Sequence, residues 1–549
     1  MKNLVVGLGA VLFITLLALL TFGQAVGLDL SHDEHQFIAP AVLWEREGLL
    51  PYRDVPLFHQ PYLIFLDSLA VKNAASPLLA TRLISGIAAF LTGLLIFGCA
   101  WIATSGKSCS ALLREVQAAR QLHPAARRME SVAQMSPVPS IPVSGESPET
   151  SGQLPALPKE NVSDVSSPFL RLAACISVTL LWLTSHLFLV SSGRTWNHDL
   201  PSLLAISAMA ILLFCKKPNA WHWLAAGLLA GLATGGRLTF SPFAGLLPLT
   251  ALLWTSIPMR TRLFHLISCG LGVALALLPS AWLYLQSPES YLFGNFEFPR
   301  LPLLEADNSR ILKTITPWRK LRFFFKEIFL SHLPLALSTI ALGILYLRLK
   351  KIPWHWIVPT LALVAGAFAP SRYEMQHFYI VAPLAALLIA CFLKTAPIPA
   401  IHCLAGAAVI SCLIGGKIFL QSAQLFHPQD WDVTRIHQQG IDLRSKVPGG
   451  KILTLGPIVA LEGGFSIYPQ LATGRFGWKF AYLVPQPRRS DLHLLADVDL
   501  AAALAKDPPV GIITGNESEK LEKPLLRYAR KARYIPEPFT DKTILWRRP

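Results

Sequence analysis

Long apolar runs alternate with polar connections over most of this chain. They fall near 4–22, 83–104, 172–192, 200–215, 221–236, 238–259, 263–285, 328–347, 352–370, 378–393 and 399–416. Their length approaches the roughly 20 residues that a helix needs to cross a bilayer, so the pattern predicts about eleven membrane-spanning helices. The pattern changes near residue 421. Lys451–Leu455, Val510–Thr514 and Lys542–Trp546 read as short buried strands. Helical periodicity near 432–446, 491–506 and 517–532 separates them, which predicts βαβ units. The expected fold class is an all-α polytopic membrane bundle followed by a small C-terminal α/β domain. Its expected parts are 1–104 (two spans and the loop 23–82), an insertion at 105–168, the remaining bundle at 169–420 with a loop at 286–327, and a soluble domain at 421–549.

Composition agrees with the bilayer as solvent. Of the 549 residues, 52% are hydrophobic and 15% charged, against about 25% charged in soluble domains. Lys2, Lys216 with Lys217, Arg260 with Arg262, Arg348 with Lys350 and Lys351, and Lys394 fall on alternate connections. The positive-inside rule places these in the cytoplasm. The loops 23–82, 193–199, 286–327 and 371–377, the turn at Arg237 and the C-terminal tail are then expected outside a plasma or inner membrane. The first apolar run exceeds the 7–15 residues of a signal-peptide core and lacks a good cleavage context, so it is read as a retained helix. Much of the net charge of +16 lies in connecting loops, so anionic lipid or a lipid phosphate is the expected partner and not nucleic acid. The eight cysteines fall in spans or on the inner side, and no disulfide is expected.

Residues 105–168 turn Pro/Ser-rich, as in Ser136-Pro-Val-Pro-Ser-Ile-Pro-Val-Ser-Gly-Glu-Ser-Pro148. Such a composition buries too little apolar surface to offset its ordering entropy, so the segment is read as a disordered cytoplasmic insertion. Asn161-Val-Ser matches a glycosylation acceptor on the wrong side of the membrane. The predicted spans hold no Asp, Glu, Lys or Arg in their interiors. Ion-coupled transporters carry such groups at mid-membrane depth, which makes a lipid-linked-sugar flippase the second reading and an enzyme at the membrane–water boundary the first.

Candidate chemistry starts at Ser31-His-Asp33-Glu34-His, just past the first span, followed by Pro51-Tyr-Arg-Asp54 and His59-Gln60-Pro61. Ser31-x-x-Glu34 is also a capping box for the helix carrying Trp44. Trp196-Asn197-His198-Asp199 precedes the span that begins at Leu200, and Asp199 with Pro201 also suits a helix start. Arg237 ends the Gly-rich run Gly227-Leu-Leu-Ala-Gly-Leu-Ala-Thr-Gly-Gly, and His377-Phe-Tyr-Ile-Val-Ala-Pro383 opens a late span. Basic groups at such positions also snorkel to the interface.

The order of these motifs on alternating sides resembles the GT-C glycosyltransferases, nearest the protein O-mannosyltransferase and lipid A aminoarabinose transferase branch, over about 30–100 and 170–395. Arg237 stands where relatives often have Lys, and His59-Gln60-Pro61 where many have Lys-Pro-Pro or His-Pro-Pro. The 105–168 insertion is not a family feature. The resemblance implies inverting transfer of a sugar from a polyprenyl-phosphate donor to a hydroxyl on a glycan, lipid or protein, at the outer face. It assigns Asp33 as base, with Glu34 in support and Asp199 orienting the acceptor or binding a cation. Arg237, Arg372, His59 and His377 are the candidates for the donor phosphate. No cofactor is called, no Cys/His spacing reads as a zinc site, and a divalent metal stays open.

Overall fold

The computed structural model describes residues 2–105, 167–215, 218–304, 316–350, 354–370 and 374–549. The expected insertion lies almost wholly outside the described residues. Five described helices are long and apolar enough to cross a membrane, or six if the bent pair Ile398–Ile414 and Lys417–Phe426 is one span. The five are Lys2–Gly27, Pro77–Ser105, Met259–Gln286, Pro317–Leu349 and Met375–Thr395. The chain is therefore a multi-pass, mostly helical membrane protein. Other expected spans are shorter or broken. The 172–192 run splits into Pro168–Leu183 and His186–Ser191, because Ser185 restarts the helix by accepting a hydrogen bond from the Phe188 amide. The 238–259 run becomes three short helical pieces over 238–253. Pro242 and Pro248 begin the later two, as proline suits a first turn and not a helix interior.

Close packing in the bundle depends on small residues. A Cβ on Gly227 or Gly272 would overlap backbone of the facing helix, so glycine there lets Ala220–Gly236 lie directly on Met259–Gln286. This is how small residues bring membrane helices together. It accounts for the Gly-rich run and sets the height at which Arg237 emerges.

Between α1 (Lys2–Gly27) and α4 (Pro77–Ser105), the chain forms α2 (His35–Glu47) and α3 (Tyr62–Val71). Helix α2 is buried from His35 to Leu43. It ends where Gly48 takes a left-handed conformation, φ 70°, that a Cβ would oppose. Ile38, Val42 and Leu43 share a core with Val433, Ile436, Leu443 and Ile458. At about 1.5–3 kcal/mol per fully buried large apolar side chain, this contact alone fixes the C-terminal region on the first loop. Polar contacts add register: the Leu30 amide donates to Asp432 Oδ2 at 2.7 Å and Arg46 Nη1 to the Leu461 carbonyl at 2.9 Å. The segment 288–304 packs beneath the same region through Phe293, Phe298, Phe480 and Val484, with Arg488 reaching Glu289 at 2.7 Å and Glu297 at 3.0 Å.

The C-terminal region holds one five-stranded sheet, ordered β2-β1-β3-β5-β4. The strands are β1 (Lys451–Leu453), β2 (Ser466–Ile467), β3 (Gly511–Thr514), β4 (Ile535–Pro538) and β5 (Ile544–Arg547). Strand β1 pairs in parallel with β2 and β3, as βαβ units require, but β5 runs antiparallel to β3 and β4. The sheet is thus mixed, and β2 and β4 go beyond the three strands expected.

Candidate active site

The acidic pair divides at once. Ser31 and Glu34 form the capping box, around the short turn His32–Glu34 that precedes α2. The Ser31 amide donates to Glu34 Oε2 at 2.9 Å. Arg82, reaching in from α4, donates from Nε and Nη2 to the two Glu34 oxygens, each at 2.8 Å. The Thr195 amide adds a bond of 3.0 Å to Glu34 Oε1. Both side chains of this ion pair are 0% exposed. Burial alone would raise the Glu34 carboxyl, but the Arg82 charge and hydrogen bonds hold it below the ordinary glutamate range. Arg82 also donates to the Leu28 and Asp29 carbonyls at 2.6 and 3.2 Å. Glu34 and Arg82 therefore tie the end of α1, the first loop and the second loop into one rigid unit, with every oxygen of Glu34 occupied.

Asp33 points the other way. It is partly exposed and accepts a hydrogen bond from Gln376 Nε2 at 3.2 Å. Burial and the nearby Glu374 charge push its carboxyl up to about 6, against the opposing pull of Arg475 and His32.

The second acidic loop crosses α1 closely. Gly193 has φ 86° and lies where a Cβ would press on the backbone of Ala25, so only glycine is at ease there. Asp199 holds this loop closed. Its Oδ2 accepts from the Gly193 amide at 2.9 Å, and its Oδ1 from Ser192 Oγ at 2.8 Å and Tyr379 Oη at 2.5 Å. Asp199 is buried and faces protein donors, where the sequence suggested an acceptor or a cation.

Arg237 follows the last turn of Ala220–Gly236 in an extended conformation. It is buried against His198 Nδ1 and lies 3.5 Å from Asn197 Oδ1. Its charge lies within electrostatic reach of Asp33 and Glu374. His198 is in turn close to His59 and His377, and burial followed by the Arg237 charge keeps its imidazole neutral. His59 stacks on Phe37 at 4.9 Å between ring centroids. Burial and Arg237 push it down to about 3, so its ring can offer a hydrogen bond but no charge. The Gln60 that departs from the family pattern has its own work. Its Nε2 donates to Asn295 Oδ1 at 2.9 Å, its Oε1 accepts from Tyr291 Oη at 3.1 Å, and Tyr52 Oη holds the His59 carbonyl at 2.5 Å.

Asp33, His59, Arg237 and His377 thus gather at one end of the bundle, under the C-terminal region. Asp199 and Glu34 border this cluster as struts. Arg372 lies outside the described residues. Sequence reasoning passed over His198, Arg82, Gln376 and Arg475. His198 sits inside a motif already singled out, and Arg82 is an arginine at the mouth of a span, a signal in itself. Arg475 lies more than 400 residues from Asp33 and left no local signal. Among the described residues no group of three His, Cys, Asp or Glu side chains is placed to hold a metal ion.

No protein-family model matches the chain, and no curated protein matches its sequence. Solved structures do match in fold. The crystal structure of ArnT from Cupriavidus metallidurans in the apo state is 13% identical with a TM-score of 0.53, over 98% of this chain and 97% of that one. The same protein bound to undecaprenyl phosphate is 12% identical with a TM-score of 0.54, over the same shares. From the first helix to the C-terminal sheet, the chain shares its fold with these structures.

Proposed function

We propose that the protein is a membrane glycosyltransferase that moves a sugar from a polyprenyl-phosphate donor to a hydroxyl group of a glycan, lipid or protein, with inversion, on the outer side of the membrane. The observation that carries the reading is the opposition of Asp33 and Arg237. A carboxylate raised to about 6 is a stronger base than an ordinary aspartate and still ionised at neutral pH, the condition general-base catalysis favours. A buried guanidinium close by suits a leaving phosphate. The fold shared with a protein solved with undecaprenyl phosphate supports the donor class.

In this mechanism Asp33 takes the proton of the acceptor hydroxyl as its oxygen attacks the anomeric carbon. The bond from that carbon to the phosphate oxygen breaks on the opposite face, and the electron pair leaves with the lipid phosphate. Arg237 stabilises the developing charge, with His59, His198 and His377 offering hydrogen bonds around it. Arg372 belongs to the same proposal as a further cation. Glu34 with Arg82, and Asp199 with Tyr379, are positioning groups that fix the two loops.

The test is transfer by the purified protein in lipid, supplied with a polyprenyl-phosphate sugar and an extract of cell-envelope glycans. Release of polyprenyl phosphate should depend on acceptor and fail in Asp33→Asn. Movement of the intact lipid-linked sugar across the bilayer without its consumption would favour the flippase reading instead.

A further inference from the structure

Tyr52, in the Pro51-Tyr-Arg-Asp54 motif, has φ 67°, a left-handed conformation that a bulky side chain adopts only under constraint. The turn around it supplies the constraint. Pro51 and Val55 form an isolated bridge. The Tyr52 amide donates to the Val55 carbonyl at 2.9 Å, the Asp54 amide to the Leu50 carbonyl at 2.9 Å and the Leu50 amide to Asp54 Oδ2 at 2.8 Å. Strain of this kind persists where the surroundings over-determine it, and it clusters at functional sites. Here it places the phenol. The Tyr52 side chain is fully buried, and its hydroxyl donates to the His59 carbonyl at 2.5 Å. Burial keeps that hydroxyl protonated well above the ordinary tyrosine range.

The other half of the grip comes from the segment that follows Met259–Gln286. Gly294 lies so close to the Leu57 carbonyl that a Cβ would overlap it, and Phe298 stacks on Phe58 with ring centroids 3.5 Å apart. Between them is Asn295, at the centre of a wide π-type turn over Phe293–Glu297. Its Nδ2 donates to Tyr52 Oη and to the Tyr291 carbonyl, each at 3.0 Å, and its Oδ1 accepts from Gln60 Nε2 at 2.9 Å. Gln60 Oε1 in turn accepts from Tyr291 Oη at 3.1 Å and Ser280 Oγ at 3.3 Å. Tyr52, Gln60 and Asn295 are all buried, and every side-chain nitrogen and oxygen among them has a partner. A buried network satisfied in this way rigidifies the backbone it holds.

We infer that Tyr52 and Asn295 are positioning residues, which clamp the His59–Gln60 backbone and thereby aim the His59 imidazole at the leaving phosphate. A neutral imidazole helps a phosphate only through a directed hydrogen bond, which weakens steeply when misaligned. Its placement therefore matters more than that of a charge. Phe37, stacked on the ring, sets the plane of the imidazole, and the Tyr52 hydroxyl fixes the peptide from which it hangs. Glu289 and Glu297, on either side of Asn295, both meet Arg488, so the clamp is anchored in the C-terminal region. The inference rests on the glycosyltransferase reading, which gives His59 its part at the donor phosphate.

The test uses the full-length protein in nanodiscs and reads polyprenyl phosphate binding and sugar transfer from a polyprenyl-phosphate sugar. Tyr52→Phe keeps the ring and removes one hydroxyl, while Asn295 keeps its bond to the Tyr291 carbonyl. Binding of polyprenyl phosphate should weaken, and the donor KM rise, about five- to tenfold, the scale of one hydrogen bond. The acceptor KM should stay unchanged. His59→Ala should lose at least as much, and adding Tyr52→Phe to it should change neither quantity further, because a positioning residue acts through the group it positions. Asn295→Ala should follow the same pattern; should it fail to fold, Tyr52→Phe decides alone. Normal binding and donor KM in Tyr52→Phe overturn the inference, as does a full additional loss on the His59→Ala background. A wild type that binds polyprenyl phosphate but transfers no sugar sinks the glycosyltransferase reading, and the binding measurements still judge the clamp. If it binds no polyprenyl phosphate, both fall.

Discussion

Asp33 in the first loop accepts a side-chain hydrogen bond from Gln376 at 3.2 Å and keeps a solvent-facing edge, whereas Asp199 in the second loop is buried under donors from Gly193, Ser192 and Tyr379. The residue types are the same and the surroundings opposite. Burial raises the Asp199 carboxyl to about 6, as it does that of Asp33, but three donors oppose the rise and consume its acceptor capacity, so it serves the loop. Asp33 has few donors and a neighbouring negative charge, so its ionised form is held at a cost and remains available to react. The contrast repeats within the acidic pair itself, where Glu34 is neutralised by Arg82 one residue from Asp33. A carboxylate whose oxygens are filled by its own fold is a strut, and one with an open, solvent-facing edge is a candidate base.

The sharpest way to break this comparison is Asp33→Asn. Asparagine keeps the size, so insertion and expression should be normal, but turnover should fall about 10²-fold or more. Stability moves the other way. Because folding raises the Asp33 carboxyl to about 6, its contribution is present at low pH and is lost as pH rises through 6. At pH 7 thermal unfolding of Asp33→Asn should therefore come no lower than that of the wild type. Near-normal sugar transfer by the purified variant would remove Asp33 from the role of base.

Arg82→Met comes next and acts on the strut. It leaves the Glu34 charge buried and unpaired, and removing one partner of such a pair costs about 3–5 kcal/mol. Thermal unfolding in detergent should drop sharply, and adding Glu34→Gln should recover part of the loss because the amide carries no buried charge and its oxygen can still accept from either Ser31 or Thr195. Unchanged stability in Arg82→Met would show that the two loops are held some other way.

Much of this contrast was hidden from the sequence. The acidic pair, the Trp196–Asp199 motif and Arg237 were visible because each breaks a polar gap between apolar runs. The spacing Ser31-x-x-Glu34 marked Glu34 as a cap, but the rest of its difference from Asp33 comes from Arg82, 48 residues on, and from Gln376. Hydropathy found the apolar helices but not where they break, because Ser185, Pro242 and Pro248 interrupt runs that stay apolar throughout. In the C-terminal region β4 was missed because Pro536 and Pro538 argue against a strand. It lies at the edge of the sheet, where proline is tolerated. Strand β2 has only two residues and gives no periodicity to detect.

Two substitutions of intermediate size sharpen the comparison. Hydrogen bonds to charged groups contribute about 1.5–3 kcal/mol, so Arg237→Ala should raise the donor KM about tenfold or more, with a smaller change in the acceptor KM. Asp199→Asn should be milder. Its amide oxygen can still accept from Gly193 while its NH₂ donates to the hydroxyls of Ser192 and Tyr379. About 1–2 kcal/mol of stability and a few-fold in turnover should be lost. The sequence motifs treat Asp33 and Asp199 as equals, and a loss as large as that of Asp33→Asn would restore that equality.

The smallest effect expected is the most specific. If Asp33 is the base, kcat/KM should fall below about pH 6 as its carboxylate takes up a proton, because the protonated form cannot accept another. Burial is the main reason for that position, and the Glu374 charge is the next. Glu374 is exposed and bonded to Gln376 at 2.9 Å, so Glu374→Gln should fold normally. Without its negative charge, the ionised form of Asp33 is easier to hold, and the acid limb should move to lower pH by a fraction of a unit. The shift should shrink at high salt, since partly exposed charges are screened over about 8–10 Å. The same substitution made together with Asp199→Asn should shift the limb equally, because Asp199 faces its own donors and not the base. An acid limb that stays fixed in Glu374→Gln, but moves in Asp199→Asn, would transfer the role of base from the first loop to the second.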